Sequence, residues 1–267
     1  MTMSNPLTTD GAEPGAFSLE RRMLELRFRS VRLAAREMLT PSYVRIRLEG
    51  DELHGFQSLG ADDHIRVFFP DGEVDSIEQL RAAPSREYTP LEWGDDWLDL
   101  EFAIHGDEGV AAPWAATAPL GSPAGVGGPR GSKVLTGRPA AWFLAGDETA
   151  VPAIRRWAGL MDADAVGRIL VEVADRRHEL PIEAPSGVEM VQVHRGLRPS
   201  GAALIDRIDA LGADDRPDGS VLGFVAAESA IVKPARALLL DRWGLSLEQI
   251  SVRGYWKRGE TEYHAPH

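Results

Sequence analysis

The hydrophobic pattern changes its period partway along this chain of 267 residues, and that change limits the folds open to it. From about residue 25 to residue 136 the pattern is strand-like. Tyr43, Val44, Arg45, Ile46, Arg47 and Leu48 alternate between apolar and charged, as a half-buried strand requires. The β-rich run 64–69 is stopped by Pro70, Asp71 and Gly72, a turn signal. Residues 97–104 alternate again. Short strands, turn residues between them and few helical stretches predict a small antiparallel barrel. From Ala141 the pattern differs. A continuous apolar run at 141–145 reads as a strand buried on both faces. A helix is expected at 149–161, then strands at 168–173, 188–193, 221–226 and 250–252, with helices at 202–211 and 229–243. Strands alternating with helices predict a parallel α/β sheet. Gly137 and Pro139 mark the boundary, so residues 21–137 are expected to form the barrel domain and 138–267 the α/β domain. Residues 1–20, polar and dotted with Gly and Pro, read as a loose tail.

Composition removes several functions. The balance of 29 Lys and Arg against 41 Asp and Glu leaves a formal charge of −12, opposite to that of a nonspecific nucleic-acid binder. With no cysteine, disulfides, thiolate zinc sites, Cys-ligated iron–sulfur clusters and thiol catalysis are excluded for this sequence. The seven histidines form no HExxH or clustered pattern, so no dedicated metal site is expected. No apolar stretch reaches the roughly 18 residues of a membrane helix. The start lacks the basic and apolar regions of a signal peptide. The sequence reads as soluble, cytoplasmic and monomeric.

Six segments carry candidate chemistry. Arg86 and Tyr88 share one side of an extended segment, with Thr89 next. A guanidinium fork matches phosphate oxygens, a phenol covers a ribose or ring face, and a hydroxyl bonds a ring nitrogen. The alternative is an ordinary strand with a surface Arg and a core Tyr. His105 ends a strand ahead of a short helix expected near 110–118, and is otherwise a structural His. Gly128, Arg130, Gly131 and Ser132 make a Gly-rich turn, or a plain linker between domains. Asp147, Glu148, Thr149 and Ala150 follow the first α/β strand, where a nucleotide pyrophosphate sits against a helix N-terminus. No GxGxxG is present there. Thr149 reads as the N-cap and Pro152 suits the first helical turn. A well-capped helix without a ligand satisfies the same residues. Asp175, Arg176 and Arg177 follow the second α/β strand, where arginines bind an adenosine 2′-phosphate or stand as a solvated loop. Tyr255, Trp256, Lys257 and Arg258 end the last strand, facing a crevice or closing the fold as a plug.

Together REYT at 86–89, GPRGS at 128–132, GDETAVPAI at 146–154 and GYWKRG at 254–259 resemble the siderophore-interacting protein family, the NADPH-dependent ferric siderophore reductases. The resemblance spans about residues 29–259. It implies an N-terminal FAD-binding β-barrel and a C-terminal NAD(P)H-binding α/β domain. By it, Arg86 holds FAD phosphate, Tyr88 packs on the flavin and Thr89 acts near N5 as the catalytic contact. His105, Gly109, Gly128, Arg130, Gly131 and Ser132 complete the flavin side. Asp147, Glu148, Thr149, Ala150 and Trp256 line the nicotinamide side. Arg66, Arg130 and Lys257 match a basic triad that attracts the anionic iron complex. Leu91 replaces the family's second Arg, Gly109-Val110-Ala111-Ala112 replaces G-P-A-S, and Ser122 replaces an Asp. The implied activity is transfer of electrons from NADPH or NADH through FAD to a ferric siderophore. The alternatives are a general NAD(P)H–flavin oxidoreductase with another acceptor, a ferredoxin-type donor, or a flavin- or siderophore-binding protein without turnover.

Overall fold

A computed structural model describes residues 15–104, 109–260 and Tyr263. Contacts divide the chain into two compact units, Arg21–Val134 and Leu135–His267, the second joined by the segment ending at Glu20. The division falls inside the last strand of the first half, a few residues before the glycine and proline that mark the boundary in sequence.

The first unit contains β1 (Phe17–Met23), β2 (Phe28–Thr40), β3 (Tyr43–Glu49), β4 (Ile65–Phe68), α1 (Ile77–Ala82), β5 (Ser85–Tyr88), β6 (Glu92–Trp93), β7 (Trp97–Ala103), α2 (Ala111–Thr117), β8 (Pro123–Gly127) and β9 (Gly131–Gly137). β1 pairs with β9 in a two-stranded ribbon that runs on into the second unit. It begins inside the segment that reads as a tail. Phe17 and Leu19 alternate with Ser18 and Glu20 there, a signal too short to register without its partner strand.

Seven strands form one antiparallel sheet in the order β5-β4-β8-β2-β3-β7-β6. Its edge strands, β5 and β6, are joined by only Thr89, Pro90 and Leu91. A flat sheet of this width would hold its edges about 29 Å apart at ~4.8 Å per strand, whereas this linker reaches about 14 Å. The sheet must therefore roll back on itself. Bulges in β2 at Leu33/Ala35 and Met38/Thr40 supply local bend. The expected barrel is thus a rolled half-barrel. Leu33, Ile46, Leu48, Val67, Leu100 and Val126 fill its interior.

The second unit contains β10 (Ala141–Asp147), α3 (Val151–Ala158), β11 (Val166–Val173), β12 (Gly187–His194), α4 (Ala202–Asp209), β13 (Val221–Glu228), α5 (Val232–Arg236) and β14 (Ile250–Trp256). All five strands are parallel, in the order β12-β11-β10-β13-β14. β10 and β13 are buried along their whole length, which explains their continuous apolar runs. The long helix expected over 229–243 is α5 continued by a wider-wound turn, Ala237–Arg242, closed by a bond from Trp243 N to Leu238 O at 2.9 Å. Phe143, Leu204, Ile208, Leu238 and Trp243 pack on one face of the sheet.

Candidate functional site

In the first unit, the side chains of interest gather at the end of β5. The pairing of Arg86 with Val67 and of Tyr88 with Ile65 puts Arg86 and Tyr88 on one face, as the period of two predicts. Tyr88 lies against Phe102, with ring centroids 4.1 Å apart and planes inclined by 41°, and meets Phe69 edge-on at 6.2 Å. Trp114 of α2 extends this bed, its ring 5.3 Å from that of Phe69. Burial pushes the Tyr88 phenol well above its ordinary value, so it remains a neutral donor. Arg86 Nη1 donates to the Ser85 carbonyl at 2.7 Å. Thr89 is buried, and Leu91 is buried beside it with its N–H on Asp99 O at 3.0 Å. Leu91 therefore belongs to the core, and its side chain offers a ligand no polar atom. Gly109, ahead of α2, is exposed with φ +85°, and open space lies where a Cβ would stand. His105 lies outside the described residues.

The GPRGS turn divides its labour. Gly128 has φ +97°, which favours glycine, and its carbonyl accepts from Arg29 Nη1 at 3.1 Å. Ser132 is buried; its hydroxyl donates to Asp63 Oδ2 at 2.6 Å and accepts from Leu59 N at 3.2 Å. Ser58 Oγ and Gly60 N also donate to Asp63, at 2.9 and 3.0 Å. The Ser132 hydroxyl proton thus fastens a loop. Gly131 lies over β1, where a Cβ would stand 2.9 Å from the Arg22 carbonyl. Arg130 is exposed, with no side-chain partner among the described residues. Arg66 instead pairs with Glu87 at 3.1 Å. Lys257, in the second unit, pairs with Glu260, which raises its pKa through that hydrogen bond. Of the expected basic triad, Arg130 alone is uncommitted among the described residues.

Arg29 belongs to none of the motifs. It shares the buried face of β2 with Val31 and Leu33, and its place in the period of two was the available signal. Its guanidinium sits 5.1 Å from the Phe56 ring centroid, its Nε has no partner, and burial lowers its pKa.

In the second unit, strand order reverses at β10, between β11 and β13. Asp147 ends β10 there, fully buried. Its Oδ1 accepts from Thr149 N at 2.9 Å and from the Thr149 hydroxyl. Its Oδ2 accepts from Glu228 N at 3.0 Å and from Trp256 Nε1 at 2.8 Å. The cap is therefore Asp147, two residues ahead of the expected Thr149, and one carboxylate ties together the ends of β10, β13 and β14. Gly146 must be glycine: a Cβ would stand 2.4 Å from Ala150 Cβ and 2.6 Å from Ala226 O.

Glu148 is also buried. Arg195 Nη1 donates to its Oε1 at 2.5 Å, and its Oε2 has no partner. Glu172 of β11 takes the Gly201 and Leu204 N–H groups at 2.5 and 2.8 Å, capping α4 from across the sheet. Desolvation, with the nearby Asp147 charge, raises the pKa of both Glu148 and Glu172. Glu172 and Arg195 were missed in sequence; a charge inside the apolar run of β11 was the sign. Ala150 is buried in the turn. Among the described residues, no group of three or more His, Cys, Asp or Glu side chains could hold a metal ion, and no helix is long and apolar enough to cross a membrane.

A rolled antiparallel sheet with an aromatic and guanidinium face, followed by a parallel sheet in 3-2-1-4-5 order with its polar turn at the switch point, defines a two-unit FAD-binding flavoprotein oxidoreductase. Residues 32–133 match the model of the siderophore-interacting FAD-binding domain, and residues 139–259 match that of the siderophore-interacting protein. The chain belongs to the siderophore-interacting protein family. It is 30% identical over 249 residues to the ferric vibriobactin reductase ViuB of Vibrio cholerae, covering 86% of this chain and 90% of that protein. It is 37% identical over 145 residues to the NADPH-dependent ferric-chelate reductase of Escherichia coli, covering 49% of this chain and 56% of that one. The crystal structure of a siderophore utilization protein from T. fusca superposes with a TM-score of 0.80 at 29% identity, covering 92% of this chain and 99% of that one.

Proposed function

We propose that this protein is an FAD-dependent ferric siderophore reductase of the cytoplasm, passing electrons from NAD(P)H to the ferric complex and releasing ferrous iron. The observation that carries this reading is the Tyr88 ring, bedded on Phe102 and Phe69 beside Arg86 on one face of β5. A part-exposed aromatic next to a guanidinium fits a planar heterocycle that carries a pyrophosphate. The names of the Vibrio cholerae and Escherichia coli relatives supply the acceptor class.

Bound FAD would accept a hydride from the nicotinamide and return the electrons one at a time. One electron per iron suffices, because hard oxygen ligands hold ferric iron far more tightly than ferrous iron. The protein's residues do the positioning. Arg86, whose Nη1 donates to Ser85 O, is the guanidinium that would bind phosphate. Tyr88 holds its proton, covers the ring and donates a hydrogen bond. Thr89, next along the chain, would be the catalytic contact to the ring. Asp147 keeps the turn after β10 in shape and holds Trp256, so that dinucleotide meets a rigid backbone. Arg130, with no side-chain partner among the described residues, offers its cation to an anionic complex. Arg66, of the same unit, joins it by giving up its exposed ion pair with Glu87, worth only about 0–1 kcal/mol.

The test is the visible spectrum of the purified protein with FAD, read after anaerobic NADPH and again after a ferric tris-catecholate. Flavin bands that bleach and then return are the expected result. A protein that takes up no FAD is a binder without turnover. Bands that bleach with NADPH and return with a quinone but not with the iron complex mark a general flavin reductase. Arg130→Ala should lower kcat/KM for the anionic ferric complex by more than it lowers turnover of a neutral dye.

A further inference from the structure

Arg29 carries a charge into the apolar interior of the rolled sheet, on the same face of β2 as Val31 and Leu33. Its Nη1 donates to the Gly128 carbonyl at 3.1 Å and, more weakly, to the Arg27 carbonyl at 3.5 Å. Among the described residues its buried Nε has no partner, and no carboxylate pairs with it. Glu25 and Glu52, the acids whose charge reaches it, are spent on Arg27 at 2.6 Å and on Ser30 N at 2.5 Å. A buried guanidinium with an unmade hydrogen bond lowers stability. An apolar side chain of similar length would pack on Phe56 as well and leave no N–H unpaired. Packing therefore gives no reason for an arginine at this place. What the arginine does hold is the Gly128 carbonyl, 99 residues along the chain.

Gly128 stands two residues before Arg130, and Ser132 stands two residues after it. The far end is held by the buried Asp63, whose Oδ2 accepts from the Ser132 and Ser58 hydroxyls and from Gly60 N. The Asp63 loop lies directly on β9: a Cβ on Gly60 would stand 2.5 Å from the Lys133 carbonyl. Between the two grips, Arg130 O accepts from Leu24 N at 3.0 Å, and Gly128 N donates to Arg27 O at 3.0 Å. All of these residues belong to the first unit. A turn that contains Gly127, Gly128 and Gly131 has wide conformational freedom unless something restrains it. Here the backbone is held on each side of Arg130. The Arg130 side chain, exposed and without a side-chain partner among the described residues, is left to a ligand.

We propose that Arg29 and Asp63 are positioning residues for Arg130: one grips the chain two residues before it, the other two residues after it, and together they fix where its cation meets the anionic ferric complex. The proposal rests on the reading of Arg130 given above and adds the two residues that aim it. A cation whose backbone is already held gives up less freedom when the complex binds, so the grip contributes affinity rather than stability. Arg29 is the clearer case, because its own burial works against the fold.

The experiment uses the full chain with FAD, and ferric tris-catecholate as the anionic complex. Arg29→Met should leave the melting midpoint unchanged or raise it. It should raise KM for the ferric complex about fivefold, the size of one hydrogen bond, with a smaller effect on a neutral dye. Arg29→Lys, which keeps a donor for the Gly128 carbonyl, should recover most of that loss. On an Arg130→Ala background, Arg29→Met should add nothing. Motion of the turn is read without substrate. The chain has no cysteine, so a nitroxide attached through Arg130→Cys is a single label. Its spectrum should sharpen when Arg29→Met is added, and also with Ser132→Ala, which keeps the other Asp63 bonds. A spectrum that either variant leaves unchanged overturns the proposal and leaves the reductase reading standing. So does a KM increase that is equal for the neutral dye, or one that adds to that of Arg130→Ala. If Arg130→Ala leaves KM for the ferric complex unchanged, the reading of Arg130 falls and the proposal falls with it.

Discussion

The two units bury acidic side chains in opposite ways. On β7 of the first unit, Glu101 and Asp99 lie directly opposite Arg45 and Arg47 of β3. Arg45 Nη2 meets Glu101 at 2.8 Å, the Tyr43 hydroxyl donates to the other oxygen at 2.9 Å, and Arg47 grips Asp99 through two bonds of 2.7 Å. Each charge has a cross-strand counter-charge. In the second unit, Arg195 lies 2.5 Å from Glu148 and 3.9 Å from Glu172, Asp147 and Glu172 are satisfied largely by N–H groups, and one Glu148 oxygen has no partner among the described residues. Neutralised pairs suit a sheet whose task is rigidity. An edge that keeps excess negative charge and raised carboxyl pKa values is a place where protonation remains responsive, which is the usual condition of a site that handles charged ligands.

The largest break in this contrast should come from Arg195→Met. It leaves Glu148 and Glu172 buried without a cation and is expected to cost about 3 kcal/mol at neutral pH, read as a fall in denaturation midpoint. Arg45→Met should cost less, about 2 kcal/mol, because Tyr43 still donates to Glu101; the Arg45→Met, Glu101→Leu double variant should recover most of that loss in a double-mutant cycle. A loss as large as that of Arg195→Met would erase the distinction between the units.

Titration sharpens the same comparison. A carboxyl whose folded pKa is raised binds its proton more tightly in the native state. Its contribution is favourable below the unfolded value of about 4.3 and is lost as pH rises through the raised folded value. Melting temperature should therefore fall with rising pH above about 4.3, and Glu148→Gln should flatten that fall. A profile identical to wild type would mean that Glu148 does not carry the effect. The smallest change is expected at a surface pair: Glu87→Gln should shift stability by less than about 1 kcal/mol, while freeing Arg66 to bind an anionic complex more tightly.

Much of this was legible in the sequence. The alternation at 43–48 and 97–104 became β3 and β7, and the buried runs at 141–145 and 221–226 became the central parallel strands. The motifs also fell at strand ends, as expected. What could not be read was how each side chain is spent. Ser132 matches a cofactor turn yet is bonded to Asp63, 69 residues away, and Trp256 is tied to Asp147 across 109 residues. Arg66 and Arg130 look alike as members of a basic triad, yet among the described residues one is paired and the other is not.

By itself the sequence determined the two kinds of sheet, their order along the chain, the exclusion of thiol chemistry and the family motifs. Those properties follow from periodicity, composition and local spacing, which act over a few residues. Only the tertiary structure decided that the sheet of the first unit rolls, that Asp147 is the hub at the switch point, that Arg29 is buried with its Nε unpartnered, and that Asp175 is occupied while Arg176 has no partner among the described residues. The physical reason is that hydrogen bonds and ion pairs operate over about 3 Å. The partners that satisfy a buried charge come from strands far apart in the chain, and their meeting is set by register and strand order.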